Sequence, residues 1–585
     1  MKRLSITISV SVLFVLLAVG GLWMLFEDLP VLGAFPLTHL NIRNKSIVEV
    51  IPQDSALVVA ADLRNLDLGS FQKLLETLPT YSMISSLAGG FLQQRNNIID
   101  IQKDVLPWIG KDVGVTVLDL QGDPTETALL LETTNIPRTR RFLERFLANI
   151  GAKFTEKTIG SYTVTQIEVN DNMPTGVEGD LAAEALADQK PLQINIALVQ
   201  NFLVLTLGEN NNPMQKIIAT VDGQSPSIAP DLLKGDSSSA GRFYFRSPNQ
   251  SDEETLVDHI SGSLTAKNNV ITLSYAIQGN KQHLQSKNLQ LAGSGESFSP
   301  SLLAALPDEA LTGTYLLPAI NAMLSNSLQP ISLPFAQPRD QFVFNTKQTL
   351  HLSPEDFQLL GGKETVLVTA ANSFGFVSKI SSVTTAQLAV KKIEDVMAQG
   401  VDFDHFLKPP HKGKINTIAY QLFQATTEGY SYTVTKDHYA WNLNEFSDEE
   451  SAVPLITAKA ATGEGELDWS PSWGIIDATF VWFSSQSGME SYLQKKKATN
   501  LASNEQLTSL IAKTPSVLAL AHLKGKEFQK SSLSKGLELD TGIHFGYDMV
   551  DSVIREALTN AKESYLLLTG DPTTSLQETL VLVVE

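Results

Sequence analysis

The stretch IPQDSALVVAADL, from Ile51 to Leu63, has the same pattern as LPDEALTGTYLL, from Leu306 to Leu317. Each stretch begins with an apolar residue and a proline, continues with polar residues and ends in a short apolar run. Proline is tolerated at the first position of a β-strand, where its missing N–H does no harm. The two stretches therefore predict the opening strands of two related halves.

A second pair of matching stretches follows in the same order. DVLPWIGKDVGVTVLDL begins at Asp104, and DFQLLGGKETVLVTA begins at Asp356. In both, the aspartate is followed six residues later by a glycine, then by a lysine, an acidic residue and an alternating, β-branched run. This pattern predicts a loop or short helix that ends at the glycine and leads into a strand.

A helix with one apolar face comes next in each half. IPRTRRFLERFLANIG ends at Gly151, and AQLAVKKIEDVMAQG ends at Gly400. Glycine is common immediately after a helix, and the apolar residues recur at helical spacing. Paired threonines at 133–134 and 384–385 predict capping contacts ahead of the two helices.

Hairpins separated by single helices are typical of α+β folds with antiparallel sheets. The sequence therefore predicts an α+β protein in which an N-terminal transmembrane helix precedes two related halves of antiparallel sheet with packed helices, an internal duplication. The predicted segments are a signal-anchor at 1–28, a tether at 29–45, a first half at 46–288, a linker rich in Gly and Ser at 289–302, and a second half at 303–585.

The N-terminal residues predict where the chain lies. Lys2 and Arg3 precede an uncharged run from Leu4 to Phe26, which as a helix would be about 34 Å long, enough to cross a bilayer. Positive charge before the run predicts a cytoplasmic N-terminus, with nearly all of the remaining chain outside the cytoplasm. The alternative is a cleaved signal peptide, but the apolar run is longer than is usual for one.

Composition excludes several classes of function. The 585 residues carry a formal net charge of −19 and include no cysteine. An acidic surface repels phosphate backbones, so nucleic acid binding is disfavoured. Without cysteine the chain has no disulfide, no thiolate metal site and no cysteine nucleophile.

Few residues indicate chemistry. Gly361, Gly362 and Lys363 resemble part of a phosphate-binding loop, but Phe357 occupies the place of its first glycine, and Glu364 follows the lysine. The sequence predicts no catalytic, cofactor-binding or metal-binding residues. Trp469 and Trp473, which flank a proline, predict an aromatic contact surface, although a packed corner between strands is the favoured alternative.

The chain also resembles a known family. IPQDSALVV, DVLPWIGKDVGVTVL, RRFLERFLANIG and SYTVTQIEV look like a cyanobacterial family built on a domain of unknown function. The resemblance covers Ile51 to Glu585 and is best in the first half. It implies a single-pass anchor, with the bulk of the chain in the periplasm or thylakoid lumen, and it implies no catalytic residue.

The sequence as a whole predicts a non-catalytic, membrane-anchored interaction, assembly or scaffolding factor of the cell envelope or thylakoid. Its partners are then the membrane, through one N-terminal helix, and a protein of unknown identity. Two alternatives stay open. One is a carrier for a lipid or another hydrophobic ligand, because antiparallel sheets with helices can enclose an apolar cavity. The other is a hydrolase with a non-standard site.

Overall fold

A computed structural model gives the fold of the chain. The residues that the structure describes are 45–65, 107–119, 126–150, 154–169, 192–208, 212–233, 239–246, 257–282, 301–317, 359–360, 365–370, 373–399, 420–438, 470–496, 498–514, 517–530, 558, 560–571 and 575–584. They divide into two compact units, with the boundary between Gln278 and Gly279.

The first unit contains ten strands among its described residues. They are β1 (Leu57–Asp62), β2 (Ile109–Asp119), β3 (Glu126–Thr133), β4 (Phe154–Ile159), β5 (Tyr162–Val169), β6 (Leu192–Val199), β7 (Phe202–Gly208), β8 (Gly241–Arg246), β9 (Val257–Lys267) and β10 (Val270–Gly279). The helices are α1 (Ile136–Ile150) and α2 (Asn212–Val221), with short 3-10 helices η1 (Ile47–Glu49) and η2 (Pro230–Leu233).

The strands of the first unit form one antiparallel sheet. Their order is β4-β5-β6-β7-β3-β2-β1-β8-β9-β10. On one face, α1 packs against a cluster that includes Trp108, Ile167 and Leu203. On the other face, α2 packs against a larger cluster that includes Val58 and Val204. Both faces are thus buried where the helices lie, which explains the strands with consecutive apolar residues.

The second unit also contains ten strands among its described residues. They are β11 (Gly313–Leu317), β12 (Thr365–Ala370), β13 (Ser373–Lys379), β14 (Tyr420–Thr427), β15 (Tyr430–His438), β16 (Ser472–Ile476), β17 (Thr479–Phe483), β18 (Ala519–Leu523), β19 (Glu563–Asp571) and β20 (Ser575–Val583). The helices are α3 (Val383–Gln399), α4 (Gln486–Lys495), α5 (Glu505–Lys513) and α6 (Gly525–Lys530), with 3-10 helices η3 (Ser301–Ala305) and η4 (Leu501–Ser503).

The second unit repeats the strand order of the first. Its antiparallel sheet runs β14-β15-β16-β17-β13-β12-β11-β18-β19-β20. The two prolines that open the matching stretches occupy matching positions as well, because Pro52 forms an isolated bridge with Ser227 and Pro307 forms one with Asn500. The two units therefore share one topology.

The helices that follow the third strand of each unit begin at short polar side chains. The backbone N–H of Arg138 donates to Asn135 Oδ1 at 3.1 Å, and the N–H of Thr385 donates to Ser382 Oγ at 3.4 Å. These side chains satisfy N–H groups that the first turn of a helix leaves free. The threonine pairs predicted to cap the helices are therefore not the capping residues, which lie beside them in the sequence.

The predicted fold class is wrong. Strands account for 51% of the described structure and helices for 28%, so the protein is predominantly antiparallel β rather than α+β with an N-terminal transmembrane helix. The physical reason is that, in the described part of each unit, the β-branched runs pair into ten strands, whereas the helices only cover parts of the sheet faces. The predicted boundaries at 46–288, 289–302 and 303–585 stay predictions.

The prediction of a single-pass membrane protein is corrected by the lengths and sequences of the described helices. Within the part of the chain that the structure describes, no helix combines the length and the apolar character that a membrane crossing requires. The single-pass localisation and the membrane contact through one helix are therefore not supported. The segments predicted as signal-anchor and tether, 1–28 and 29–45, lie outside the described residues except for Lys45.

Candidate interaction edge

Each sheet ends in a hairpin whose outer strand pairs on one side. Among the strands that the structure describes, β4 pairs with β5 alone, and β14 pairs with β15 alone. An outer strand presents a row of unpaired N–H and C=O groups that can pair with another chain. These two edges are therefore the places where the sheets could be extended.

The strand pairings assign to each residue of one sheet an equivalent residue in the other. Val113 and Thr365 each follow a Gly-Lys-acid run and take the same place in β2 and β12. Counting the pairings outwards from these residues places Phe423 at the position of Thr155. Glu156 then matches Gln424, and Lys157 matches Ala425, the residues that follow in each strand.

The two edges differ in charge. Strand β4 reads FTEKTI and carries Glu156 and Lys157 at its centre, both exposed. Strand β14 reads YQLFQATT and has no charged residue. Charged side chains, lysine above all, are a usual means of preventing edge strands from pairing with other chains. The first unit has this protection at its outer strand, and the second lacks it.

Strand β14 is fixed in place by polar contacts to its neighbours. The Gln424 side-chain amide donates to Thr433 Oγ1 at 2.9 Å, and that hydroxyl donates to Glu394 Oε1 of α3, also at 2.9 Å. The turn between β14 and β15 contains Glu428 and Gly429, both with positive φ, as tight hairpin turns require. The edge is thus ordered before any partner binds, which lowers the entropic cost of association.

The turn end of the same hairpin contacts an ion pair. The Lys496 ammonium lies 4.8 Å from the centre of the Tyr430 ring and also pairs with the Asp477 carboxylate. The hydrogen bond from Lys496 lowers the pKa of Asp477. Asp477 lies in the turn between β16 and β17, so the contact ties the two hairpins of this end of the sheet together.

One exposed apolar side chain lies on β14 itself. Phe423 is 42% exposed. The next residue, Gln424, contacts Thr433 on the face that α3 covers, so Phe423 lies on the other face of the sheet. A strand added at β14 would cover part of the Phe423 ring, and the burial of apolar surface would favour its binding.

A different cluster, of charged groups, lies at the bulge in β2. Glu132 on β3 is 7% exposed, and its carboxylate accepts hydrogen bonds from the backbone N–H groups of Lys111 and Asp112 at 2.9 and 3.0 Å. A side chain at Gly110 would meet the Glu132 side chain, because a Cβ atom at Gly110 would lie 2.6 Å from Glu132 Cγ. The Gly-Lys-Asp run of the sequence thus forms a bulge that the Glu132 side chain closes.

The acidic side chains near this bulge titrate differently. Burial raises the pKa of Asp112 to about 6, and the carboxylates of Glu132 and Asp62 add to the rise, while Lys111 opposes it. Burial also acts to raise the pKa of Asp62, but the Arg64 guanidinium, 2.9 Å away, lowers it overall. No three potential metal ligands come together within the described residues. The hydrogen bonds of Glu132 to the bulge give the cluster a structural role.

A buried histidine forms a third polar cluster, in the second unit. The His522 ring stacks on the ring of Tyr565, its register partner on β19, with 5.1 Å between centroids. The Tyr565 hydroxyl donates to the Glu563 carboxylate. Burial lowers the pKa of His522 to about 4, so the imidazole is neutral at pH 7. Because the residue is 1% exposed, it presents no surface to a substrate.

Of the two residues predicted as an aromatic contact surface, the structure describes only Trp473. Trp473 lies on β16, is fully buried, and has Thr433 and Trp482 as register partners. Trp469 lies outside the described residues, so the predicted pair stays a prediction. The sequence analysis missed the edge strand β14. Its lack of charge can be seen in its own sequence, but its position at the end of the sheet cannot be predicted from that sequence.

Comparisons with known proteins identify the family of the chain. Residues 6–518 match the family described as protein of unknown function (DUF3352), and the chain belongs to that family. The match concerns the domain and names no organism or compartment. No curated protein matches the sequence at a significant level.

Solved structures resemble the chain only distantly. Crystal form III of a protein designated TP0453 covers 40% of this chain and 80% of its own, at 11% identity and a TM-score of 0.23. Crystal form I of the same protein covers 41% of this chain and 80% of its own, at 10% identity and a TM-score of 0.24.

Proposed function

We propose that this protein is a non-catalytic assembly protein that associates with a second copy of itself through β14. The observation that supports the proposal is the difference between two matching edge strands, of which β4 carries Glu156 and Lys157 while β14 carries no charge. In a duplicated fold, the unit without the charged pair is the one free to accept another strand.

A second copy of the chain meets the requirements of this edge. Strand β14 is itself extended, uncharged and eight residues long, close to the usual length of a strand in a sheet. Two copies related by a two-fold axis normal to the sheet would pair antiparallel and continue the sheet from one copy into the other. No charged side chain of β14 would then face another.

The net charge makes the proposed association sensitive to salt. Each copy carries a formal charge of −19, so two copies repel each other at low ionic strength. Salt screens that repulsion, with a Debye length of about 8 Å at physiological ionic strength. Because the contact itself is uncharged, we expect association to strengthen as salt is added.

The test is sedimentation velocity of the purified full-length chain over a range of concentrations, with two matched variants. Ala425→Lys places in β14 the residue that β4 carries at the same position, where the first unit accommodates a lysine. Thr158→Lys adds a lysine to exposed β4 as the control. We expect Ala425→Lys to weaken association at least about tenfold, a cost of about 1.4 kcal/mol, and Thr158→Lys to leave it unchanged.

Two results would contradict the proposal. A wild-type chain that stays monomeric at all concentrations would exclude a second copy as the occupant of β14. Association that persists unchanged in Ala425→Lys would place the contact elsewhere. A circular dichroism melt of each variant shows whether it folds, so that a loss of association is not confused with unfolding.

The carrier and the hydrolase stay alternative hypotheses, without a specific observation on the described residues that favours either. The sequence resemblance also leads us to propose a cyanobacterial source, a point that the family match does not test.

A further inference from the structure

Two adjacent side chains in the first unit are buried without hydrogen-bond partners. Asn195 on β6 is 0% exposed, and Thr206 on β7 is 2% exposed. They are register partners, so their side chains lie side by side on one face of the sheet. Within the described structure, neither polar atom of the Asn195 amide nor the Thr206 hydroxyl has a partner.

Such an arrangement is rare in folded proteins. Most buried polar side-chain atoms have a hydrogen-bond partner, and each exception calls for an explanation such as a bound water or another bound group. Here three exceptions occur on two neighbouring residues. Ala128, Ala197 and Val204 lie next to them on the same face and belong to its core cluster, and the polar Gln166 is the other register partner of Asn195.

The second unit shows that the fold does not need these polar groups. The positions of Asn195 and Thr206 are taken there by Ser472 and Phe483, which are also register partners. The Ser472 hydroxyl donates to the Ser470 carbonyl at 2.9 Å, and the Phe483 ring packs on Tyr492 with 5.6 Å between centroids. At these two positions, the second unit therefore has a hydrogen-bonded hydroxyl and an apolar ring, whereas the first unit has two polar side chains without hydrogen bonds within its described part.

We infer that Asn195 and Thr206 form a binding site for a small neutral group that both donates and accepts hydrogen bonds. The amide offers two N–H donors and a carbonyl acceptor, and the hydroxyl can donate or accept. The outer register partners of the pair, Gln166 beside Asn195 and Ala128 beside Thr206, are uncharged, and an ion buried without a counter-charge is strongly disfavoured. The group is either an ordered water or a hydroxyl- or amide-bearing ligand.

The stability of Thr206→Val tests the site. Valine has nearly the shape of threonine, so the change removes only the hydroxyl. If the hydroxyl is unpartnered in solution, its removal raises the melting temperature, because a desolvation penalty disappears. If it holds a bound group, the melting temperature falls by a few degrees. We expect a fall.

Thr116→Val is the matched control. Thr116 is fully buried on the same face, and its hydroxyl donates to the Leu57 carbonyl at 3.2 Å. This variant loses a known hydrogen bond and sets the size of the expected fall. A Thr206→Val shift of the same sign and similar size supports the site, whereas an unchanged or higher melting temperature overturns it.

Native mass spectrometry of the full-length chain distinguishes the sources of the bound group. A small organic molecule retained by the wild type and lost in Asn195→Leu identifies a ligand. If no organic molecule is retained and Thr206→Val is destabilised, the bound group is water. If no organic molecule is retained and Thr206→Val is not destabilised, the site is empty and the inference fails.

Discussion

Ala56 and Thr312 make the same two backbone hydrogen bonds in the two units. The N–H of Ala56 donates to the Val117 carbonyl at 2.8 Å, and the N–H of Thr312 donates to the Thr369 carbonyl at 2.7 Å. The carbonyl of each accepts a 2.8 Å hydrogen bond, from Arg246 in the first unit and from Lys524 in the second. The repeat thus extends to single hydrogen bonds before the first strand.

Because the backbones correspond, the side chains at matching positions of the two units can be compared. Where the backbone is the same and the side chains differ, the difference is not required by the fold. The charged pair of β4 and its absence from β14 is one such difference, and the buried polar pair Asn195 and Thr206 is another. The proposals on association and binding rest on these two comparisons.

Removing the charges of β4 should create a second associating edge. The double variant Glu156→Gln, Lys157→Ala gives β4 the residue pair that β14 has at the same positions. We expect species larger than a dimer, because each chain then offers two uncharged edges. Sedimentation velocity at rising concentration measures this, and a variant that associates no further than the wild type would count against the role of charge.

Gly110→Ala should destabilise the first unit. The added methyl group would lie 2.6 Å from Glu132 Cγ, so Glu132 must move and weaken its hydrogen bonds to the bulge. We expect a loss of about 1–3 kcal/mol in urea denaturation. Gly241→Ala is the control, because its nearest neighbour lies at an ordinary 3.5 Å. Equal effects of the two substitutions would show that Glu132 is not the cause.

Asp112→Asn should stabilise the protein above pH 6. Burial raises the pKa of Asp112 from 3.8 to about 6, so the folded state favours the protonated form. The stability that protonated Asp112 contributes to the wild type below pH 4 is therefore lost as the pH rises from about 4 to about 6. The variant does not titrate and avoids this loss, which amounts to about 3 kcal/mol at most.

Urea denaturation at pH 4, 6 and 8 measures the effect of Asp112→Asn. We expect the difference in unfolding free energy between variant and wild type to grow from pH 4 to pH 6 and then to level off. A difference that is the same at all three pH values would show that Asp112 titrates normally.

Asn504→Ala should cost about 1 kcal/mol. The Asn504 side-chain oxygen accepts the Leu507 N–H at 3.0 Å and so caps α5. Asn500 is the matched control, since it precedes η4 without a side-chain capping bond, and Asn500→Ala should cost little. Thermal melts of both variants measure the loss of stability. Equal losses in the two variants would show that the Asn504 cap does not stabilise α5.

Local elements were predictable from the sequence. The helices expected to end before Gly151 and Gly400 end at Ile150 and Gln399, because apolar periodicity and a following glycine are local signals. The first strand, Leu57–Asp62, was also predictable from its short apolar run. The capping residues were missed by one or two positions, since Ser, Thr and Asn compete for this role and the backbone geometry decides among them.

The order of the strands was not predictable. Strand β7 lies beside β3, and β8 lies beside β1, although each pair is separated by many residues in the sequence. Edge position follows from this order, so the functional meaning of an uncharged strand appears only once the sheet is known. Glu132 likewise reaches the bulge after Gly110 from a different strand, and no spacing rule connects the two.

Hydrogen–deuterium exchange of the full-length chain at low and high protein concentration shows whether β14 pairs with a second copy of the chain. Pairing of β14 with a second copy would protect its outward-facing amides. We predict slower exchange in residues 420–427 at high concentration, with no change in residues 154–159 of β4. Exchange in 420–427 that is independent of concentration while the chain associates, or protection at 154–159 instead, would contradict the account.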